Sequence, residues 1–475
     1  MRRVFAWFRS HPLTTIFLVL IGFAVGAHLF ANWRAEVRWQ RYCAAARARG
    51  VKLTLAEFAP PEIPDAENFA ALPMFRAAGS SLRSSMDLPK NSLSFGDART
   101  GERTDWQAWQ KLFKDSGWLT ETTEEPARDV LRGLEHYAPQ FKEWSEWKTR
   151  PHCRFSYDYS SGVGPRLPMS MFIHAAKLFD LRLRAHLAVH ESAAALADFQ
   201  DGLQAYRALQ DEPMLLSAML RICVLSLTLP GVADGLKDRA WSDDELRQIE
   251  SELAKVRVWQ DYRMAFSSER GFANWYGDLL ADPASRGRVI ALMGGPGSAP
   301  SATPLTYVPR RVYRDNQLRQ NQNFDELIAR VSEDGSRFDP DGPNPSSPVN
   351  LRGPFDYYYF FMFRISTRIS QSSRNEFVFA QTILDQARLA IALERWRLAR
   401  GAYPETLAEL VPDFIAAVPV DTYSRKSMLY RRQDGGTFLL YGVGQNRTDD
   451  GGVLDPNKGA DGRDDIWPYA PPPSK

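Results

Sequence analysis

The densest chemistry in the sequence lies near its end, in "LLYGVGQNRTDDGGVLDPNKGADGRDDI" (439–466), where Asp449, Asp450, Asp461, Asp464 and Asp465 cluster with glycines between them. Carboxylates and loop carbonyls are the ligands of a hard cation, and calcium takes roughly six to eight oxygens at ~2.3–2.6 Å. The stretch holds no His or Cys, which argues against zinc or copper. The competing reading is a solvated acidic tail whose carboxylates stay apart in water.

Three other groups have the residue types for chemistry. His186 and His190 stand at i and i+4 in "RAHLAVHES", a spacing that lets two imidazoles on one helix face share a metal, and His174 lies earlier on the same pattern. No H-E-x-x-H pattern or nearby cysteine completes a set, so ordinary packed or surface histidines are expected. Asp158 with a second acid could form a glycosidase pair, served by a Trp-rich stretch from Asp105 to Trp147 that stacks on sugars. Against that, Trp106, Trp109 and Phe113, and then Phe141, Trp144 and Trp147, recur at three and four residues, the mark of a helix face packed on a neighbour. "SSERGFANWYGD" around Glu269 and Arg270 could hold a buried ion pair. No G-x-x-x-x-G-K phosphate loop or G-x-S-x-G nucleophile turn occurs.

These residues sit in a chain of 475 residues, 44% apolar, long enough for two or three domains at roughly 150 residues each. Lys+Arg 59 against Asp+Glu 57 leaves a net charge of +2, too small a field to argue for nucleic acid, and none is expected as a partner. Cys43, Cys153 and Cys223 are far apart and form no C-x-x-C pair, so neither a disulfide framework nor a zinc site is indicated.

After a basic tail (1–12), "LTTIFLVLIGFAVGAHLFA" from Leu13 to Ala31 carries no Asp, Glu, Lys or Arg and is flanked by Arg9 and Arg34. Nineteen helical residues span about 28 Å, close to the ~30 Å hydrocarbon layer. One transmembrane anchor is therefore expected. A cleaved signal peptide, with Val25-Gly26-Ala27 as its small-residue site, is the rival. The run continues past Ala27 through Leu29 and Phe30 to Trp33, an interfacial residue type, which favours the anchor.

A juxtamembrane helix and a Pro-rich connector follow (32–75), then a helical domain (76–282). Within it "MFIHAAKLFDLRLRAHLAVH", "ESAAALADFQDGLQAYRAL", "PMLLSAMLRICVLSLTLPGVADGL" and "SDDELRQIESELAKV" read as helices, the last opened by a Ser242/Glu245 capping box. Stacked helical hairpins or a non-repeating helical bundle both fit. Residues 283–354 are rich in Pro, Gly and Ser around one helix, "DNQLRQNQNFDELIARV". The remainder (355–475) begins with the apolar "FDYYYFFMFRIS", a buried helix start or a docking surface. It continues with an amphipathic helix, "NEFVFAQTILDQARLAIALERWRLARG", closed by Gly401. A short helix in "YPETLAELVP" and a hairpin in "SMLYRRQDGGTFLLYGVG" complete a mainly α chain with a small C-terminal α+β unit.

That final order of long helix, "RGAYPETLAELVP", "VPVDTYSRKSMLYRR", "GTFLLYGVGQN" and acidic glycine loop resembles the globular domain of type II secretion pseudopilins over roughly the last 90 residues. The resemblance implies a structural calcium ion in the acidic loop, carried by Asn446, which stands where the family usually has Asp, and by Asp464 and Asp465, with Asp449 and Asp450 to compensate. The N-terminus departs from the family: "RSHPLTTIFLVL" lacks the cleavage glycine and the glutamate, and the helical middle is foreign to it. A borrowed domain in a larger anchored protein is implied.

Orientation has two opposing signals. Arg34, Arg38, Arg41, Arg47, Arg49 and Lys52 outnumber the basic residues before the span, which counts toward a cytoplasmic C-terminal part. A short N-terminal tail before one long domain, and the resemblance to an exported domain, count toward export from the inner (cytoplasmic) membrane. The expected function is a membrane-anchored, non-enzymatic envelope scaffold that binds protein partners; a glycan hydrolase at the cell envelope is the alternative.

Overall fold

In the computed structural model, residues 11–78, 86, 89, 103–160, 167–286, 308–342, 359–452 and 464–467 are described. The chain is mainly helical with a small antiparallel sheet near its C-terminus. Helix α1 (Pro12–Ala48) opens on a proline, whose missing N–H costs nothing in a first helical turn, and runs without a break through the apolar stretch. Short α2 (Pro73–Ala78) is followed by α3 (Trp106–Asp115), α4 (Pro126–Leu134) and α5 (Ala138–Trp144). Asp105 caps α3 by accepting the Ala108 N–H at 2.9 Å.

Helices α6 (Met169–Ala188), α7 (Ser192–Arg207) and α8 (Leu215–Lys237) pack on one another, followed by α9 (Asp243–Leu253) and α10 (Val258–Ala281). The capping box of α9 forms as its sequence predicts, with Ser242 N–H donating to Glu245 at 2.8 Å. Helix α11 (Arg310–Ile328) packs on α1 and α10. Helix α12 (Phe361–Arg400) is 40 residues long and ends at Gly401, whose φ of 84° is the left-handed geometry that a glycine supplies without strain. The apolar start is buried at Met362 and Phe363, and the helix begins well before the periodic stretch that predicted it. "YPETLAELVP" holds a single 3₁₀ turn, Leu407–Leu410.

The hairpin joins β1 (Leu429–Gln433) to β2 (Thr437–Gly442) in the register Leu429↔Tyr441 to Gln433↔Thr437, around the Asp-Gly-Gly turn. A two-residue β3 (Asp465–Ile466) adds to the other edge of β2, with Tyr441 opposite Ile466. One apolar core runs from Phe69 to Trp467 and includes Phe377, Leu384, Ile391 and Phe438, so the C-terminal helix and sheet share their interior with the helices before them.

The two halves of α1 differ sharply. From Leu13 to Phe30 eleven large apolar side chains are exposed. At about 2 kcal/mol per side chain, removing that set from water is worth on the order of 20 kcal/mol. The second half buries Ala35, Trp39, Cys43 and Ala46. Tyr42 and Leu318 pack against that small core. Among the described residues two helices are long and apolar enough to cross a membrane, α1 and α8. Helix α8 is mostly buried inside the body and carries Arg221, 2% exposed, paired with Asp261 of α10 at 3.1 Å. It is a core helix of this fold.

The Trp-rich stripes pack on the same core, with Trp106, Phe141 and Trp147 half-buried at its edge. Trp109, Phe113 and Trp144 have no exposed surface, and Trp144 meets Phe69 edge-on at 5.3 Å. They have no free face for a sugar ring.

Candidate functional site

Two places gather polar side chains with the density of a site: the acidic loop, and the seam between α1 and the body. The loop leaves β2 at Gly442 and returns as β3. Gly451 and Gly452 take φ of 81° and 68°, and a Cβ on Gly452 would come within 2.8 Å of Leu439 and 2.9 Å of Tyr441, so only glycine lets the loop lie on the strand. Tyr441 Oη and Gly451 N–H donate to Asp449 Oδ1 at 3.0 and 2.8 Å. Asn446 Nδ2 donates to Asp450 Oδ2 at 3.0 Å, and Asn446 Oδ1 accepts the Thr448 N–H at 3.0 Å. Asp464, 3% exposed, accepts the N–H groups of Asp450 and Gly452 at 3.0 and 2.9 Å. Burial raises the Asp464 carboxyl above the usual carboxylate range. The two N–H bonds oppose that rise, and the neighbouring Asp450 and Asp449 charges add to it.

The structure therefore gathers Asn446, Asp449, Asp450 and Asp464 into one hydrogen-bonded loop. Asp465 sits in β3 opposite Gly442, its carbonyl accepting Gln386 Nε2 at 2.5 Å, and Asp461 lies outside the described residues. Among the described residues no three His, Cys, Asp or Glu side chains converge as a metal group. What fits a calcium ion is the all-oxygen donor set and the crowding of like charge at Asp464. What opposes it is that Asp464 spends its oxygens on backbone N–H groups.

The other sequence candidates have local partners. Helix α6 ends at Ala188, and His190 lies beyond it with φ 61°, so His186 and His190 do not share a helix face. His186 Nδ1 instead meets Glu191 Oε2 at 2.9 Å. Burial lowers the pKa of His186, against the pull of Glu191. His174 is half-buried on α6. Asp158 is exposed in a turn, where its Oδ1 accepts the Ser160 N–H at 2.9 Å and the Ser160 hydroxyl at 2.5 Å.

An ion pair forms in the expected stretch at buried Arg270, with a distant acid and not with Glu269. Adjacent residues on a helix point in different directions, and Arg270 reaches Asp325 of α11 at 2.8 Å. Glu269 is half-buried with no hydrogen-bond or ion-pair partner among the described residues, and loss of water around it pushes its carboxyl up to about 7. The folded chain thus holds this proton more tightly than the unfolded chain, so stability falls as pH rises from the ordinary Glu range toward 7. Glu269→Gln is expected to remove that fall: melting curves of the two chains should coincide near pH 4.5 and the variant should melt higher at pH 8. An equal difference at both pH values would contradict the assignment.

Sequence reasoning missed the seam. Asn32 Oδ1 accepts the Arg311 N–H at 2.9 Å; Glu36 meets Arg314 at 2.8 Å and Arg310 at 3.0 Å; Arg38 meets Asp315 at 2.7 Å; Tyr42 donates to Asp325 at 2.9 Å. Arg314 also reaches Asp278 and Gln317, and Gln317, Asn274 and Asn321 continue the network inward, where Asn274 Nδ2 donates to the Leu53 carbonyl at 3.0 Å. Gly271 makes this approach possible: a Cβ there would stand 2.8 Å from the backbone at Thr54–Leu55. The signal in the sequence was "NQLRQNQN", a helix polar on every side, which is stable only when its amides find partners.

No protein-family model matches the chain, and no curated protein or solved structure matches it.

Proposed function

We propose that this chain is a membrane-anchored, non-enzymatic scaffold of the cell envelope, held in the inner membrane by α1 with its C-terminal part exported, and that it binds protein partners through its helical body. The observation that carries the reading is the division of α1. Its first half is apolar apart from Thr14, Thr15 and His28 and stands exposed among the described residues, while its second half is fixed to α11 by packing and ion pairs. A helix built in this way holds a body at a set height and rotation above a bilayer, which is what a scaffold needs and a diffusing enzyme does not. The glycan-hydrolase alternative is the weaker reading, since Trp109 and Trp144 are buried and Asp158 accepts the Ser160 N–H in a turn. The test is a reporter active only outside the cytoplasm, fused after Lys475. Activity is expected; a signal from a cytoplasmic reporter alone would overturn export.

The same reading includes structural calcium at the acidic loop, held through oxygens of Asn446, Asp449, Asp450, Asp464 and Asp465; Asp461, the other residue of the expected set, lies outside the described residues. Bound calcium would offset the repulsion among these acids, so binding free energy becomes folding free energy. Thermal unfolding of the full chain in detergent should shift upward with calcium and return with chelator. The shift should vanish in Asp449→Asn with Asp450→Asn, a pair that leaves the Asp464 contacts in place. An unchanged midpoint in the parent chain would leave the loop without an ion.

A further inference from the structure

We propose that the end of the body nearest the span, formed by Arg34 of α1, the last turn of α10 and the first turn of α11, rests on the bilayer and binds the anionic headgroups of its phospholipids; this rests on the reading of α1 as a membrane anchor. Helix α11 runs beside α1 in the same direction, since Asn32, Glu36, Arg38 and Tyr42 meet Arg311, Arg314, Asp315 and Asp325 in that order. The uncharged run ends at Ala31, so the pairing of Asn32 with Arg311 puts the first turn of α11 level with the edge of the hydrocarbon layer. Helix α10 runs the other way, with Asp278 on Arg314, and its last turn points back toward the span.

The chemistry of that end suits a headgroup layer. Arg34 is exposed with no acidic partner among the described residues, and Arg310 is about half exposed beside Glu36. The acids of this end are already engaged: Glu36 and Asp278 by Arg314, and Asp282 by the Ser285 hydroxyl at 2.6 Å and the Ala284 N–H at 3.2 Å. Around the arginines, half-buried Tyr276, Leu279, Val308 and Phe361 pack on buried Leu280, Tyr313 and Met362. Basic side chains above an aromatic and aliphatic edge are the composition that settles at an anionic membrane surface.

The full chain, carrying Cys223→Ser, would be placed in nanodiscs whose lipids bear a headgroup nitroxide, with a fluorophore on Ala284→Cys or, as a distal control, on Asp434→Cys. In discs containing phosphatidylglycerol the label at 284 should be several-fold more quenched than the label at 434. The difference should shrink in purely zwitterionic discs and in Arg34→Gln with Arg310→Gln, which leaves Arg314 holding Glu36. Equal quenching at the two sites in chains that remain in the disc would overturn the docking proposal alone, as would quenching at 284 that ignores lipid charge. Chains that fail to enter the disc would overturn the anchor reading and the proposal with it.

Discussion

Arg221→Ala should lower the stability of the body by about 3–5 kcal/mol, the cost of removing one member of a buried ion pair. Arg221 lies within α8, 2% exposed, and its Nε and Nη2 each stand 3.1 Å from a carboxylate oxygen of Asp261. It also donates to the Leu209 carbonyl, and Tyr206 shares Asp261. Truncation leaves Asp261 to Tyr206 alone and opens space where the guanidinium stood. Arg221→Met, close in volume, should lose less than the alanine variant, because packing is kept while the charge goes. The pair of variants decides what α8 is. A helix that crossed a bilayer would gain from losing an arginine, so an alanine variant as stable as the parent would contradict the assignment of α8 to the core.

The second large effect is at Trp144. Its indole has no exposed surface and is enclosed by Phe69, Phe75, Phe172 and Phe179 at centroid distances from 5.3 to 6.2 Å, with Nε1 donating to the Asp201 carbonyl at 2.9 Å. Trp144→Ala should cost about 3–5 kcal/mol, from lost burial and the cavity left behind. Trp147 is a built-in comparison: it is only half-buried and its Nε1 bonds the Asp201 side chain at 2.8 Å, so its loss should cost about 1 kcal/mol. Denaturant midpoints of the two variants should therefore separate widely. Near-parent stability of Trp144→Ala would mean that the ring faces solvent, and would reopen the sugar-platform reading.

Local rules made much of the fold legible. The capping box at Ser242, the glycine stop at Gly401 and the Asp-Gly-Gly turn each act within a few residues, and each element ends or bends where those residues require. Partners that lie far along the chain were not legible. Arg270 chooses Asp325, not its neighbour Glu269, because helix geometry separates adjacent side chains, a rule that the sequence already contained. His190 falls outside α6 because the helix stops at Ala188 without a glycine to announce it. The start of α12 was legible in its apolar residues, but its continuity with the later amphipathic stretch was not, because the serine- and arginine-rich turns between them carry little apolar period. At the acidic loop the residue types were readable but not their directions: Asp464 turns onto the N–H groups of Asp450 and Gly452, a choice set by how the loop folds over β2. The seam was hidden for a related reason, since amides that bond to one another across α10 and α11 leave no hydrophobic signature.

The central claim, that α1 is one uninterrupted helix whose exposed half lies in a bilayer, is tested most directly by washing cell membranes with alkaline carbonate and measuring the intact mass of the chain in pellet and supernatant. The account predicts chain in the pellet that still carries Leu13–Ala31. Chain released into the supernatant and beginning near His28 would contradict it.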